Sequence, residues 1–191
     1  MSAKAWDIAC TEKGKKRMVL ETKRLLLREM KPNDFDALFR VLGDPETMRH
    51  YPTAFDGQHV KDWIERNMNR YRKDGFGLWA VCLKETGEMI GDCGLTMQKI
   101  DGTNLPEIGY HVRKDCWRQG YGSEAAKAVR DWTFRNNPYA CVYSYMKYTN
   151  IPSQKTAAAM GMRKIKEYPD PKDELLCVYA ITREEWRKLQ K

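Results

Sequence analysis

Apolar positions along the chain alternate between two spacings, and those spacings predict the elements. Residues 23–29, Lys-Arg-Leu-Leu-Leu-Arg-Glu, read as a first strand. Pro32 then stands where a helix would start. Phe35, Leu38, Phe39 and Leu42 follow as one helical stripe, with Gly43 as the stop. Val60, Trp63, Ile64 and Tyr71 mark a second helix, closed by Gly75. Residues 77–84 are an apolar and aromatic strand, Glu85-Thr86-Gly87-Glu88 a turn, and residues 89–98 the returning partner. A turn at Asp101-Gly102-Thr103-Asn104 leads into a strand over 106–113. A glycine-rich turn then opens a helix with Ala125, Val129 and Trp132 on one face. That helix ends before Pro138, which disfavours helix in the preceding residue. Residues 139–147 form a strand and Asn150–Met160 a short helix, in which Pro152 is tolerable only in the first turn. Residues 163–168 and 175–181 predict a closing hairpin, and Thr182-Arg183-Glu184-Glu185 a capping box opening a last helix. The order β-α-α-β-β-β-α-β-α-β-β-α has few crossover helices. It therefore predicts an α/β (α+β) domain with a mixed, mostly antiparallel sheet.

The 191 residues, 42% of them hydrophobic, suit one domain with a proper core. Lys4, Lys13, Lys15, Lys16 and Arg17 precede the first regular pattern, so residues 1–18 are expected to be a basic tail and 19–191 the folded domain. No apolar run approaches the ~20 residues that cross a bilayer, and the start has no signal-like stretch. The expected location is cytoplasmic. The cysteines at 10, 82, 93, 116, 141 and 177 have no CxxC spacing, which argues for reduced thiols rather than zinc. His50, His59 and His111 lack ligand spacing, so no metal is expected. A formal charge of +8 favours an anionic partner without naming one.

The candidate chemistry lies between Val112 and Ala125. A strand enters a turn, and the turn opens a helix whose first amides have no intrahelical partner and carry partial positive charge. Gly120 and Gly122 remove side chains that would block those amides, and Arg113, Lys114 and Arg118 add charge. Such a turn suits a diphosphate; the plain alternative is a glycine-softened helix start with no ligand. The chain has no G-x-x-x-x-G-K-[ST] segment, which disfavours a P-loop triphosphatase. Gly120 to Ala125 does match G-x-G-x-x-A. The acid expected about 20 residues on is missing from 140–147, and antiparallel strands precede the turn, which disfavours a dinucleotide fold.

Five segments together resemble the GNAT superfamily of N-acetyltransferases, in particular the branch that acetylates ribosomal proteins and N-terminal amines. They are Thr22–Arg28, Asp44-Pro45-Glu46-Thr47-Met48, Glu107-Ile108-Gly109-Tyr110, Trp117–Ala125, and Asn150-Ile151-Pro152-Ser153 with Gly161-Met162. The resemblance spans about residues 20–188. Trp117, where the superfamily expects Gln or Arg, suits this branch; Met162 replaces the usual Phe.

The resemblance implies a central sheet of about seven strands, splayed between its fourth and fifth, with helices on either side. It implies acetyl-coenzyme A as co-substrate. The pyrophosphate would sit on Arg118, Gln119, Gly120, Tyr121, Gly122 and Ser123. The pantetheine arm would pair along Tyr110, His111 and Val112, and Asn150 would touch the coenzyme beyond the splay. A primary amine, on a protein N-terminus or a small molecule, would attack the thioester directly. Glu107 is then the candidate base, or else an acid on the solvent face. Ser153 is the candidate donor to the leaving sulfur, or else a first-turn hydroxyl bonded to backbone. Tyr51, Tyr71, Trp79 and Tyr110 are candidates for an acceptor pocket or for core. Rival readings are an inert coenzyme-binding or regulatory module and a basic protein that binds RNA or the ribosome. Monomer and homodimer both remain open.

Overall fold

The computed structural model describes residues 18–172 and 174–190. Most of the expected tail lies outside the described residues, and Met18 already opens a strand. The elements are β1 (Met18–Glu21), β2 (Leu25–Arg28), α1 (Phe35–Leu42), α2 (Gly57–Asp74), β3 (Leu78–Leu83), β4 (Met89–Ile100), β5 (Thr103–Val112), α3 (Tyr121–Asn136), β6 (Cys141–Lys147), α4 (Ile151–Ala159), β7 (Arg163–Pro169), β8 (Leu175–Thr182) and α5 (Arg183–Lys188). No helix of the described residues is long and apolar enough to cross a membrane.

One eight-stranded sheet runs β1-β2-β3-β4-β5-β6-β8-β7, one strand more than expected because β1 adds to the edge. Every neighbouring pair is antiparallel except β5 and β6, which α3 connects. Both faces are covered, and this explains why 77–84 reads as an unbroken apolar run. Leu78, Ala80 and Cys82 face α1 and α2, where Leu38, Val41, Leu42, Val60 and Ile64 meet them. Trp79 and Val81 face α3 and its Ala125, Ala126 and Val129. Trp79 meets Trp132 edge to face at 4.8 Å, so it is core and lines no acceptor pocket.

Two local devices fix the framework. Arg28 of β2 forks onto Asp34 at 2.7 Å through both terminal nitrogens, and Asp34 also accepts from the Lys31 N–H at 2.9 Å. This buried pair ties the sheet to the start of α1. Asp101 and Gly102 both have positive φ, 45° and 80°, which closes the β4–β5 hairpin in a turn that matches strand twist and lengthens both strands beyond expectation.

The sheet parts between β5 and β6. Glu107↔Tyr143 is the one paired position there, and the Ser144 hydroxyl donates to the Ile108 carbonyl at 3.1 Å. Beyond Ile108 the two strands have no further pairing, and the edge of β5 is open. In the order of this sheet these are the expected fourth and fifth strands, shifted by one by β1.

Candidate active site

The turn before α3 is shaped by two left-handed residues, Arg118 at φ 60° and Gly120 at φ 81°. Gly120 is the N-cap and offers no side-chain cap to the helix. The first bond into α3 is Glu124 N–H to the Gly120 carbonyl at 2.9 Å. Among the described residues nothing accepts from the backbone N–H groups of Arg118 through Ser123. Those amides at a helix N-terminus carry the positive end of the helix dipole.

The side chains around the turn are distributed differently from expectation. Arg113 is held by Glu88 at 2.7 Å and Asp115 at 2.6 Å, and Lys114 lies within 3.5 Å of Asp44 and 3.4 Å of Glu46. Arg118 has no ionic partner among the described residues and is exposed. Arg24 supplies a cation the sequence did not single out. It donates to the Gln119 carbonyl at 2.9 Å, pairs with Glu124 at 2.7 Å, and lies over the Tyr121 ring at 4.4 Å. Glu124 also accepts from Thr22 Oγ1 at 2.6 Å and the Arg24 N–H at 2.9 Å, so the β1–β2 corner grips the first turn of α3.

At the open edge, Ile108 directs its main-chain groups toward β6, as its bond from Ser144 shows. Alternate residues of a strand share that direction, so Tyr110 and Val112 also face the gap. The Val112 carbonyl is taken by Trp117 Nε1 at 2.6 Å. His111 departs from expectation. It pairs with Asp92 of β4 and its carbonyl abuts Gly91, so its backbone cannot line the gap. Across the gap, Asn150 caps α4 by accepting from the Ser153 N–H at 3.2 Å. The Ser153 hydroxyl donates to Tyr110 Oη at 3.1 Å, and Tyr110 in turn donates to the Ser153 carbonyl at 2.8 Å. Ser153 is therefore bonded to a side chain, not to backbone.

On the opposite face of β5 stand Glu107 and His111, with Gly109 between them. Glu107 is buried, and its Oε2 accepts from Thr96 Oγ1 at 3.1 Å. Burial pushes its carboxyl up to about 7; the Thr96 bond and the nearby His111 and Arg70 only partly oppose this. A Cβ on Gly109 would stand 3.1 Å from Glu107 Oε2, so glycine leaves room for the carboxyl. His111 is gripped on both ring nitrogens. Nδ1 lies 2.7 Å from Asp92 Oδ1 and Nε2 lies 2.7 Å from Tyr51 Oη. The other Asp92 oxygen accepts from Trp63 Nε1 at 2.8 Å. Burial works against the imidazolium, but the Asp92 charge outweighs it and raises the His111 pKa.

Sequence reasoning missed Asp92, Trp63 and the role of Tyr51. Asp92 carried a signal, as a lone acid inside an apolar strand that must find donors when buried. Tyr51 was a candidate for the acceptor pocket only as an aromatic; its pairing with His111 was not readable, because it stands in the loop between α1 and α2. That loop is fixed by Asp44 capping Thr47, the buried Met48, and the Tyr51 N–H on the Met48 carbonyl at 2.7 Å. Tyr71 is structural: it donates to the Leu78 carbonyl and accepts from the Met30 N–H.

Comparison with known proteins agrees with this geometry. The family model described as an acetyltransferase (GNAT) domain matches residues 24–163. The protein YkkB of Bacillus subtilis (strain 168) is 32% identical, over 77% of this chain and 86% of its own. The N-acetyltransferase p20 of Bacillus licheniformis is 31% identical, over 85% and 94%. Among solved structures, RimL, a ribosomal alpha-N-protein acetyltransferase in complex with coenzyme A, superposes with a TM-score of 0.72. It covers 87% of this chain and 98% of its own; at 14% identity it shares the fold alone. The chain belongs to the GNAT acetyltransferases, whose acetyl donor is acetyl-coenzyme A.

Proposed function

We propose that this enzyme moves the acetyl group of acetyl-coenzyme A onto a primary amine by direct attack, with no acyl-enzyme intermediate. One observation carries the reading. The unpaired edge of β5 opens just past Glu107, the last position paired with β6, and leads to the unpartnered amides of the α3 turn, so donor and base would meet along one strand. The N–H groups of Arg118, Gln119, Gly120, Tyr121, Gly122 and Ser123 would hold the diphosphate, with Arg118 as the free cation. The arm would pair with the main chain of Tyr110 and with the N–H of Val112. The Asn150 end of α4 would meet it beyond the gap.

Glu107 is the base that takes a proton from the attacking nitrogen, directly or through a water. A carboxyl poised near 7 is matched to that task at neutral pH. The Ser153 hydroxyl, which would turn to the departing sulfur from Tyr110 Oη, is the donor there, while Tyr110 keeps its own proton on the Ser153 carbonyl. Burial raises the Tyr110 pKa, which keeps it a proton donor. The acceptor we favour is the N-terminus of a protein, from the five segments that resemble the ribosomal-protein branch and from the fold shared with RimL. Among the described residues Cys93, Cys116, Cys141 and Cys177 are free thiols, which suits a reducing cytoplasmic location. Calorimetry with acetyl-coenzyme A, followed by thiol release over a panel of peptides and small amines, tests the reading. Binding without release for any amine would favour the inert module, and no binding would overturn the site.

A further inference from the structure

The Asp92–His111–Tyr51 chain has no part in the mechanism above, yet each of its members is fixed by geometry. An ionised Asp92 only accepts hydrogen bonds. Its Oδ2 takes the Trp63 proton at 2.8 Å, so its Oδ1 must take one from His111 Nδ1 at 2.7 Å. In the neutral ring Nε2 is then bare and accepts the Tyr51 hydroxyl proton at 2.7 Å. This is the tautomer logic of a hydrolase triad with a phenol as its outer member. Asp92 is fully buried, whereas Tyr51 is 40% exposed. One end of the chain is dry and the other reaches water. Glu107, in contrast, is buried and bonded to Thr96.

The chemistry calls for two acceptors. A protonated amine gives up one proton before it can attack and a second from the nitrogen after the C–N bond forms. One of these reaches the departing thiolate, and the other must leave to solvent. We propose that Tyr51 takes the first proton from the incoming ammonium group while passing its own to His111 Nε2, and that Glu107 takes the second. In the first step an N–H bond of the ammonium breaks and an O–H bond forms on Tyr51. The old Tyr51 O–H breaks and Nε2–H forms, leaving an imidazolium against the Asp92 carboxylate. After attack the nitrogen proton passes to Glu107, the C–S bond breaks, and the sulfur takes the electron pair and then, through water, the proton from Glu107, which is ionised again. The imidazolium then returns its proton to water through the exposed phenol.

Tyr51 is the catalytic residue here; His111 and Asp92 act through it. Although the residue as a whole is part exposed, desolvation around the Tyr51 hydroxyl, with the Glu107 and Asp92 charges, raises its pKa, so a free tyrosinate is disfavoured and the exchange is concerted. The charged groups facing the imidazole are Asp92 from β4 and Glu107 from β5, while Trp63 of α2 presents a ring edge at 5.8 Å. Both carboxylates favour the imidazolium. Arg70 of α2 acts on Glu107 and offsets part of its charge.

This proposal rests on the acyl-transfer reading, and two small acceptors separate the two. Ethylamine is protonated at neutral pH and needs both acceptors; hydroxylamine is largely neutral and needs only the second. With acetyl-coenzyme A and each amine at high concentration, Tyr51→Phe and His111→Gln are expected to lose about 100-fold in turnover of ethylamine at neutral pH. That loss should shrink as pH rises toward the amine's own ionisation, and the loss on hydroxylamine should be no more than a few-fold. Glu107→Gln should slow both. Equal losses on both amines for Tyr51→Phe, or a loss that alkaline pH does not relieve, would overturn the relay and leave the acyl-transfer reading standing. A wild-type protein that binds acetyl-coenzyme A but acetylates neither amine would overturn both.

Discussion

The Glu107 carboxyl offers a measurement of the site that needs no acceptor. Its pKa rises from 4.5 to about 7 because burial removes water from the charged form. In the unfolded chain the same group titrates near its ordinary value. Below about pH 4.5 both states hold the proton and Glu107 does not change stability with pH. Between about 4.5 and 7 the folded state keeps the proton that the unfolded state has lost, so stability falls as pH rises. Above about 7 the loss is complete. At ~1.4 kcal/mol per pH unit it amounts to about 3 kcal/mol. Glu107→Gln stays neutral throughout and still accepts from Thr96. The variant should therefore match the wild type near pH 4 and exceed it by about 3 kcal/mol near pH 8. For a chain of this size that corresponds to roughly 6–12 °C in Tm. Urea unfolding of both proteins across this range reads the difference directly, and all other titrating groups cancel to first order. A difference that stays flat with pH would refute the claim that burial lifts this carboxyl to about 7, and with it the reason to name Glu107 as base.

Other outcomes follow from the same structure. Asp34→Ala leaves the Arg28 guanidinium buried without its forked partner and should cost about 3–5 kcal/mol in urea unfolding; a loss below about 1 kcal/mol would mean that the pair is solvated. Arg118→Glu puts a negative charge beside the amides of the α3 turn. It should raise the KM for acetyl-coenzyme A at least tenfold at low salt while kcat at saturation is retained; an unchanged KM would move the diphosphate elsewhere. Ser153→Ala removes the hydroxyl that rests on Tyr110 Oη, while the Tyr110 bond to the 153 carbonyl remains, and should lower kcat with little change in coenzyme affinity; normal turnover would remove Ser153 from the mechanism.

The elements were legible where one local rule sufficed. The α1 helix, the left-handed Gly75 after α2, the Pro138 stop and the Thr182–Glu185 capping box lie where the sequence puts them, but the α1 stripe is displaced: Phe39 is exposed and Val41 is buried. β1 was missed because its four residues are too short to show a period and follow a basic stretch. The α3 turn was readable because amides and glycines act through backbone, which sequence spacing fixes. The acceptor face was not, because it is assembled from β4, β5, α2 and a loop, and only the sheet register brings Asp92 opposite His111. Glu107 fell between these cases. Its position in the strand was evident, but its burial depends on α2 and Gly109. Arg113 shows the reverse error, since a cation beside a phosphate turn was already matched by Glu88 and Asp115.

The Glu124 carboxylate has a mechanical consequence. Because it bonds Thr22, the Arg24 amide and the Arg24 guanidinium at once, the far margin of the sheet and the mouth of α3 form a single stiff bracket. Arg24, the same residue, also braces the Gln119 carbonyl and stacks on Tyr121. The mouth of α3 thus keeps its shape before any donor arrives, so little ordering entropy is left to be lost when one docks.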